Sequence, residues 1–302
     1  MTKVLTATAT EAAATTRPRI LVTGATGRVG GAVVARLRAA GVPVRALVRD
    51  GADRLPADVE AVRGDLGDPA SLDAALDGVD AVFLVWPFLS AEGAADVVDT
   101  IGKHARRVVY LSSAGVGAGD GDGRDGAGGA ITMFHAELER LVEASGLEWT
   151  ALRPTGFASN TLGWVEQVRA TGTVRAPLAS LARPLIHEAD IAAVAVHALT
   201  TGELVGARPV ITGPERVTQE RQAALIGEAL GRPVRFEEVP LEEAAAEMRA
   251  AGYPAELVDA VLPAQARMLD APEPVNDEVE RITGTPARPF RQWAADHAAD
   301  FS

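Results

Sequence analysis

The sequence of 302 residues contains no cysteine. Disulfides, thiolate nucleophiles and cysteine-ligated metals are therefore excluded, and no metal site is expected. No apolar run approaches the roughly 20 residues that a membrane-spanning helix needs. Basic residues are outnumbered, because 29 lysines and arginines against 41 aspartates and glutamates give a net charge of −12. This balance argues against nucleic acid or a membrane surface as a partner.

The first residues also lack the marks of an export signal. Residues 1–16 are mostly threonine and alanine, without a basic start or a long apolar core. Such a composition is not that of a secretory signal. We therefore predict a disordered tail over residues 1–17 and a cytoplasmic protein.

What the sequence does contain is a glycine-rich turn between an apolar run and a helical pattern. The run at residues 20–22 predicts a buried strand, and the turn has the spacing Gly24-x-x-Gly27-x-x-Gly30. A helix with apolar residues four positions apart follows, and residues 42–48 predict a second strand. A strand–helix turn without a ligand needs only one glycine. Three at this spacing predict a pyrophosphate held at the helix N-terminus.

The alternation of strands and helices continues to about residue 155. Strands are predicted at residues 59–62, 80–85, 107–112 and 149–153, and helices at residues 68–76, 94–105 and 131–145. This order predicts an α/β fold, a doubly wound parallel sheet of the Rossmann type, with ligands at the carboxyl ends of the strands. We assign residues 18–155 to a Rossmann domain that binds the pyrophosphate-bearing ligand. Residues 156–302 form a smaller, mostly helical substrate lobe that is interleaved with the Rossmann core.

Several elements are predicted within that second half. Strands are expected at residues 209–212 and 235–239, and helices after a cap at Asp190, after a cap at Thr218 and near residues 241–251 and 255–269. Prolines interrupt the final stretch until residues 290–301. Separately, a segment rich in glycine and aspartate at residues 115–129 lies between a strand end and the next helix. Its place at the ligand edge predicts an active-site lid.

Motifs along nearly the whole chain from Arg19 resemble one protein family. They are Thr23-Gly24-x-x-Gly27-x-x-Gly30, Gly64-Asp65-Leu66, Leu111-Ser112-Ser113, His135 with Glu139 on one helix, Leu152-Arg153-Pro154 with Phe157 and Asn160, His187 to Asp190, and Thr212-Gly213-Pro214. They resemble the atypical short-chain dehydrogenase/reductase superfamily, and within it the NmrA-like NAD(P)H-binding family with its quinone- and azo-reductase-like members.

The resemblance implies a cofactor site. The residues implied are Gly24, Thr26, Gly27, Arg28, Val29 and Gly30 around the pyrophosphate, Asp65 and Leu66 beside the adenine, Val85 and Trp86 at the ribose, and Pro154, Thr155 and Phe157 beside the nicotinamide. Arg49 follows the second strand directly, where the adenine ribose arrives. An arginine there accommodates a 2′-phosphate, so NADPH is the expected cofactor. Asp50 beside it leaves NADH as the second choice.

The superfamily's Tyr-x-x-x-Lys pair is absent. The only tyrosines, Tyr110 and Tyr253, have no lysine four residues on, and the only lysines are Lys3 and Lys103. His135 stands about where that lysine would. It either holds the nicotinamide ribose or acts as a general acid, unless it is an ordinary surface histidine.

An apolar, aromatic substrate pocket is expected over the nicotinamide. Its predicted residues are Trp86, Phe88, Phe134, Asn160, Trp164 and His187, with Met133 and Phe157 beside them. Ser113, with Ser112, either hydrogen-bonds the substrate or closes the strand end. His187 either reaches the pocket or flanks the start of the helix near Asp190.

These features favour a reductase that transfers hydride from NADPH to a small conjugated acceptor such as a quinone. Such acceptors need little help with protons, which suits a chain without the Tyr–Lys pair. Two alternatives stay open. One is a redox sensor that binds NAD(P)H without turnover, and the other is a tailoring enzyme of a biosynthetic pathway. The expected partner is a small aromatic or conjugated molecule, and a homodimer is left open.

Overall fold

A computed structural model describes residues 17–117 and 129–302, with the side chain of Ala130 left out. The predicted tail over residues 1–16 and most of the predicted lid, residues 118–128, lie outside the described residues. Within the described ranges, no helix combines the length and the apolar character needed to cross a membrane.

Eleven strands occur in the described residues. They are β1 (Ile20–Val22), β2 (Val44–Val48), β3 (Glu60–Arg63), β4 (Ala81–Leu84), β5 (Arg107–Leu111), β6 (Glu148–Pro154), β7 (Thr173–Ala176), β8 (Ala182–Arg183), β9 (Val210–Ile211), β10 (Val217–Thr218) and β11 (Arg235–Glu238). Seven form a parallel sheet in the order β3-β2-β1-β4-β5-β6-β9. The predicted doubly wound sheet is therefore confirmed. The strand order changes direction between β1 and β4, since β2 and β3 lie on one side of β1 and β4 lies on the other. Such sheets bind ligands at this place.

Eleven α-helices cover the sheet and build the second lobe. They are α1 (Arg28–Ala39), α2 (Asp73–Leu76), α3 (Ala94–His104), α4 (Gly129–Ala144), α5 (Val165–Thr171), α6 (Glu188–Thr200), α7 (Gln219–Leu230), α8 (Leu241–Ala250), α9 (Ala255–Arg267), α10 (Glu278–Thr283) and α11 (Phe290–Asp296). α1 and α6 pack on one face of the sheet, and α2, α3 and α4 pack on the other. Both faces are buried, which explains the unbroken apolar runs of the strands.

The two halves of the chain share the sheet. β9 pairs with β6 at the sheet edge, and α6 shares an apolar core with α1. Both β9 and α6 follow residue 155 in the chain. The rest of the second half has its own core, which includes Val168, Ile226 and Trp293. The short pairs β8–β10 and β7–β11 belong to this lobe.

Some local predictions need correction. α6 begins at Glu188 with His187 as its N-cap, so Asp190 lies inside the first turn and does not cap the helix. The helix expected at residues 68–76 is a 3₁₀ turn, Pro69–Leu72, followed by the short α2. The predicted cap at Thr218 is confirmed, since its side chain accepts a hydrogen bond from the Arg221 N–H at 3.1 Å.

Candidate functional site

The glycine turn after β1 is too crowded for a side chain at its third glycine. Gly24 has a positive φ of 61°, and its carbonyl oxygen accepts a hydrogen bond from the Gly27 N–H at 2.9 Å. A β-carbon at Gly30 would lie only 2.2 Å from that same oxygen. Helix α1 therefore packs directly on the turn, and this close approach requires glycine.

The first turn of α1 leaves backbone donors for a ligand. The hydrogen bond at the start of the helix runs from the Gly31 N–H to the Gly27 oxygen at 2.8 Å. Gly27, the N-cap, has no capping side chain, and the first turn holds no acidic residue. The N–H groups of residues 28–30 precede that bond and carry the positive end of the helix dipole. A diphosphate fits this cradle because it supplies the missing acceptors and the negative charge.

The glycine turn lies where the strand order changes direction, between β1 and β4. The Val85 N–H donates to Thr23 Oγ1 at 2.7 Å, and Thr23 Oγ1 donates to the Val85 oxygen at 3.0 Å. A β-carbon at Gly24 would lie 3.2 Å from Val85 Cβ. The structure thus brings Val85 against the glycine turn, at the carboxyl ends of β1 and β4.

The Asp65 loop is shaped by its own hydrogen bonds. Asp65 Oδ1 accepts from the Gly67 N–H at 2.8 Å, and the Asp65 N–H donates to Ser71 Oγ at 2.9 Å. Leu66 is buried, and the loop rests against Phe88 through Gly67. The Asp65 carboxylate therefore holds the loop that the family resemblance places at the adenine.

Three arginines without partners lie along the outer part of this edge. Arg28 opens α1, Arg49 follows β2, and Arg63 ends β3 opposite Val48. All three are exposed. None of their guanidinium groups has an ion pair or hydrogen bond within the described part of the chain. Arg63 was not predicted from the sequence, and the register of β2 on β3 is what reveals it.

The residues predicted to bind substrate do not form one pocket. Asn160 and Trp164 line a cavity in the second lobe. Trp86, Phe88 and Phe134 instead pack into the core between the sheet and the helices α2 to α4, where the Trp86 and Phe88 rings meet edge to face at 5.1 Å. One aromatic pocket was expected over the nicotinamide. The structure divides it, because the residues after β4 pack in the layer of α2 to α4, whereas the residues after β6 lead into the second lobe.

The segment after β6 is held by backbone hydrogen bonds. Thr155 Oγ1 donates to the Pro184 oxygen at 2.6 Å, and the Ile186 N–H donates to the Gly156 oxygen at 2.9 Å. Phe157, half-buried, follows and reaches the cavity. This segment therefore links the sheet edge to the cavity without a flexible joint.

The cavity has a volume of about 370 Å³, within the range of small-molecule sites. Its walls are mostly apolar and amide side chains, among them Phe157, Asn160, Trp164, Leu181, Met248 and Gln265. The Phe236 ring meets the Trp164 indole edge to face at 6.1 Å, which fixes that wall.

His135 is paired with a buried tyrosine. Its Nδ1 lies 2.6 Å from the Tyr110 hydroxyl, and its ring packs on Phe134 with ring centroids 4.2 Å apart. Burial lowers the pKa of His135 to about 4, and burial also raises the pKa of Tyr110. Both groups are therefore neutral near pH 7. Tyr110 has no other acceptor among the described residues, so it donates to Nδ1 and leaves the imidazole proton on Nε2.

Glu139, another polar residue of α4, belongs to a hydrogen-bond network that joins this helix to the sheet. Ser112 Oγ donates to Glu139 Oε1 at 2.5 Å, and Arg153 makes a two-pronged ion pair with the same carboxylate at 2.6 and 2.9 Å. Glu139 is only 5% exposed, so this network is buried. Ser113 is half-buried, and its Oγ accepts from the Gly115 N–H at 3.3 Å.

His187 has the second of the two roles considered for it. Its Nδ1 accepts a hydrogen bond from the Ala189 N–H at 3.1 Å, and its Nε2 lies 3.3 Å from Asp296 Oδ2. It is buried and is not among the cavity-lining residues. The prediction that it binds substrate is not supported by this placement, because capping α6 occupies the ring.

Tyr110 is the residue that sequence reasoning missed. Neither tyrosine is followed by a lysine four residues on, so the superfamily motif gives Tyr110 no role. Alternation along β5 was the available signal, because it puts Val108 and Tyr110 on the face that α4 covers.

Comparison with known proteins agrees with the geometry. A family model described as NAD(P)H-binding matches residues 24–202. The chain is 41% identical to a (4-alkanoyl-5-oxo-2,5-dihydrofuran-3-yl)methyl phosphate reductase of Streptomyces griseus, covering 94% of this chain and 99% of the relative. It is 38% identical to an NAD(P)H azoreductase of Xenophilus azovorans, covering 93% and 99%. An NADPH-dependent quinone oxidoreductase from Escherichia coli shares the fold, with a TM-score of 0.73, 22% identity and coverage of 92% and 98%.

The family resemblance drawn from the motifs is thereby confirmed, and so is a nicotinamide dinucleotide as the cofactor. The glycine turn at Gly24 to Gly30 falls within the matched residues. The chain belongs to the NAD(P)H-binding family and is an NAD(P)H-dependent oxidoreductase.

Proposed function

We propose that the protein is an NADPH-dependent reductase of small conjugated acceptors such as quinones, and that it works without a Tyr–Lys pair. The observation that carries the proposal is the cavity, which begins at Phe157 directly after the segment expected to border the nicotinamide. When bound, the cofactor supplies a hydride. The protein's part is to hold the acceptor flat against that segment and to keep water away from it.

The walls of the cavity suit a flat, conjugated molecule. Phe157 and Trp164 offer aromatic faces, and the side-chain amides of Asn160 and Gln265 have no hydrogen-bond partner within the described residues. Their amides are therefore free to bind carbonyl oxygens. The Streptomyces griseus relative is named for a substrate whose ring has a carbon–carbon double bond beside carbonyl groups, and the Xenophilus azovorans relative is named for azo reduction. Both names agree with a conjugated acceptor.

His135 is proposed to position the cofactor and not to protonate the acceptor. With a pKa near 4, the imidazole is almost entirely neutral at pH 7 and is a poor proton donor. Its Nε2–H, oriented by Tyr110, is suited to bind a ribose hydroxyl. The acceptor's proton then comes from water, which suffices for quinones because the reduced oxygen is only weakly basic. Ser113, which follows β5, is proposed to bind the acceptor's oxygen.

The proposal is tested by NADPH oxidation, followed by absorbance, with a panel of quinones. We expect turnover by the wild type. In Trp164→Leu the KM for the quinone rises about tenfold while the NADPH affinity is unchanged, because one aromatic wall is lost. Trp149→Leu is the matched control, since Trp149 stacks under Arg208 outside the cavity. Dinucleotide binding without turnover of any acceptor would overturn the proposal and favour a redox sensor.

A further inference from the structure

The charged side chains that line the cavity are all matched by opposite charges. Arg183 makes a two-pronged ion pair with Glu273 at 2.7 and 3.0 Å, and both side chains are less than 20% exposed. Arg175 is paired with Glu243 and Glu247 at 2.6 Å and with a third carboxylate at 3.1 Å. No unpaired cation therefore lines the described part of this cavity.

The Arg183–Glu273 pair stands beside the reacting end of the cavity. A β-carbon at Gly156 would lie 2.7 Å from Arg183 Cζ, so the guanidinium packs on the backbone next to Phe157. Glu273 is held in turn because its carbonyl oxygen accepts from Arg216 Nε at 2.7 Å. Arg183 is part of the wall, and Glu273, which lies behind it and does not line the cavity, keeps its guanidinium from acting as a free anion receptor.

We infer that the acceptor's body is uncharged, and that Glu273 is the residue that excludes anionic acceptors. An anion that enters must lose water without gaining an unpaired cation, which is unfavourable. Glu247, which lines the cavity beside Arg175, adds repulsion. The Streptomyces griseus relative is named for a phosphate ester, so the acceptor of this chain differs in charge from that named substrate. The inference rests on the proposed function for its reductive step, but the selectivity is a property of binding alone.

The test uses two azo dyes that differ by one charge, para-methyl red and its methyl ester. Their binding to the full-length protein with saturating NADP⁺, which cannot reduce the dye, is measured by equilibrium dialysis. We expect the ester to bind about tenfold more tightly than the carboxylate. Equal or tighter binding of the carboxylate would overturn the inference, even for a protein that reduces quinones.

A pair of variants locates the selectivity. Glu273→Gln keeps a hydrogen-bond acceptor for Arg183 but removes the countercharge. We therefore expect the carboxylate dye to bind about tenfold more tightly and the ester to bind as before. Glu237→Gln is the control, because Arg175 keeps two carboxylates after that change. An unchanged ratio of dye affinities in folded Glu273→Gln assigns the selectivity elsewhere and refutes the role of Glu273.

Failure of this inference and failure of the proposed function give different results. If the protein shows the dye selectivity but fails to oxidise NADPH with any of the acceptors, the inference stands and the proposed function is refuted. If it reduces quinones but binds both dyes equally, the function stands and the inference is refuted. The dye comparison on the wild type needs no variant, so it decides whether the protein excludes anionic acceptors even where Glu273→Gln does not fold.

Discussion

Gly30 determines whether the cofactor turn can form. A β-carbon there would lie 2.2 Å from the Gly24 oxygen and 2.6 Å from its carbonyl carbon, so Gly30→Ala must push α1 away from the turn. We expect at least about a tenfold loss of NADPH affinity, together with a lower melting temperature. Gly31→Ala is the control, because its β-carbon would lie 3.5 Å from the nearest atom and alanine favours the helix. Normal binding by Gly30→Ala would refute this account of the turn.

Arg49 should set the preference for NADPH. It is exposed after β2 and has no ion pair within the described residues, so its charge is available to a 2′-phosphate. Arg49→Gln is expected to lower the ratio of NADPH to NADH affinity about ten- to hundredfold, as for a lost charged hydrogen bond. Titration with both dinucleotides measures the ratio. Arg36→Gln, in the last turn of α1, should leave the ratio unchanged. An unaltered preference in Arg49→Gln would transfer the role to Arg28 or Arg63.

His135 should make stability depend on pH below neutrality. Its folded-state pKa of about 4 lies below the value of about 6.5 in the unfolded chain, so the unfolded chain binds a proton first. Its contribution is therefore complete above pH 6.5 and is lost as the pH falls towards 4, by about 3 kcal/mol. Urea denaturation from pH 7 to 4.5 should show a smaller loss for His135→Gln than for the wild type. Parallel curves for the two proteins would contradict the buried, neutral imidazole.

The sequence predicted the glycine turn better than the long-range contacts around it. Gly24, Gly27 and Gly30 act within one turn, so their spacing alone carries the geometry. The pairing of Tyr110 with His135 spans 25 positions, and that of Arg183 with Glu273 spans 90. Such contacts depend on how separate elements pack, and no local pattern encodes them.

At the scale of elements, α4 is tied to the sheet through one carboxylate. Glu139 binds Ser112 after β5 and Arg153 on β6, and it is almost fully buried. Glu139→Gln leaves the Arg153 charge without its partner, so we expect a loss of about 3 kcal/mol in the free energy of unfolding. Glu137→Gln, on the same helix, breaks only the exposed pair with Arg140 and should cost at most about 0.5 kcal/mol. Equal effects in urea denaturation would show that the network adds nothing beyond a surface pair.

Strongly apolar elements were predicted well, and elements with few apolar residues were not. The strands β4 and β5 and the helix α3 lie within a residue or so of their predicted bounds, because the strands are fully buried and the helix has a clear apolar face. The strands β7 and β8 were missed, since they have no continuous apolar run and form only through partners distant in sequence. α6 was predicted, but its predicted cap, Asp190, lies three residues after the observed N-cap, His187. His187 caps it with a ring nitrogen, a role usually taken by Ser, Thr, Asp or Asn.

The whole molecule should unfold in one step, because its two halves are not separate bodies. α6 from the second half packs with α1, and β9 completes the sheet begun by the first half. We therefore expect a single calorimetric transition, with NADPH raising its midpoint for the entire chain. At a concentration a hundredfold above Kd, the cofactor adds about 2.7 kcal/mol to the free energy of unfolding. Two transitions, of which NADPH shifts only one, would show that the lobe beyond residue 155 folds independently of the cofactor-binding half.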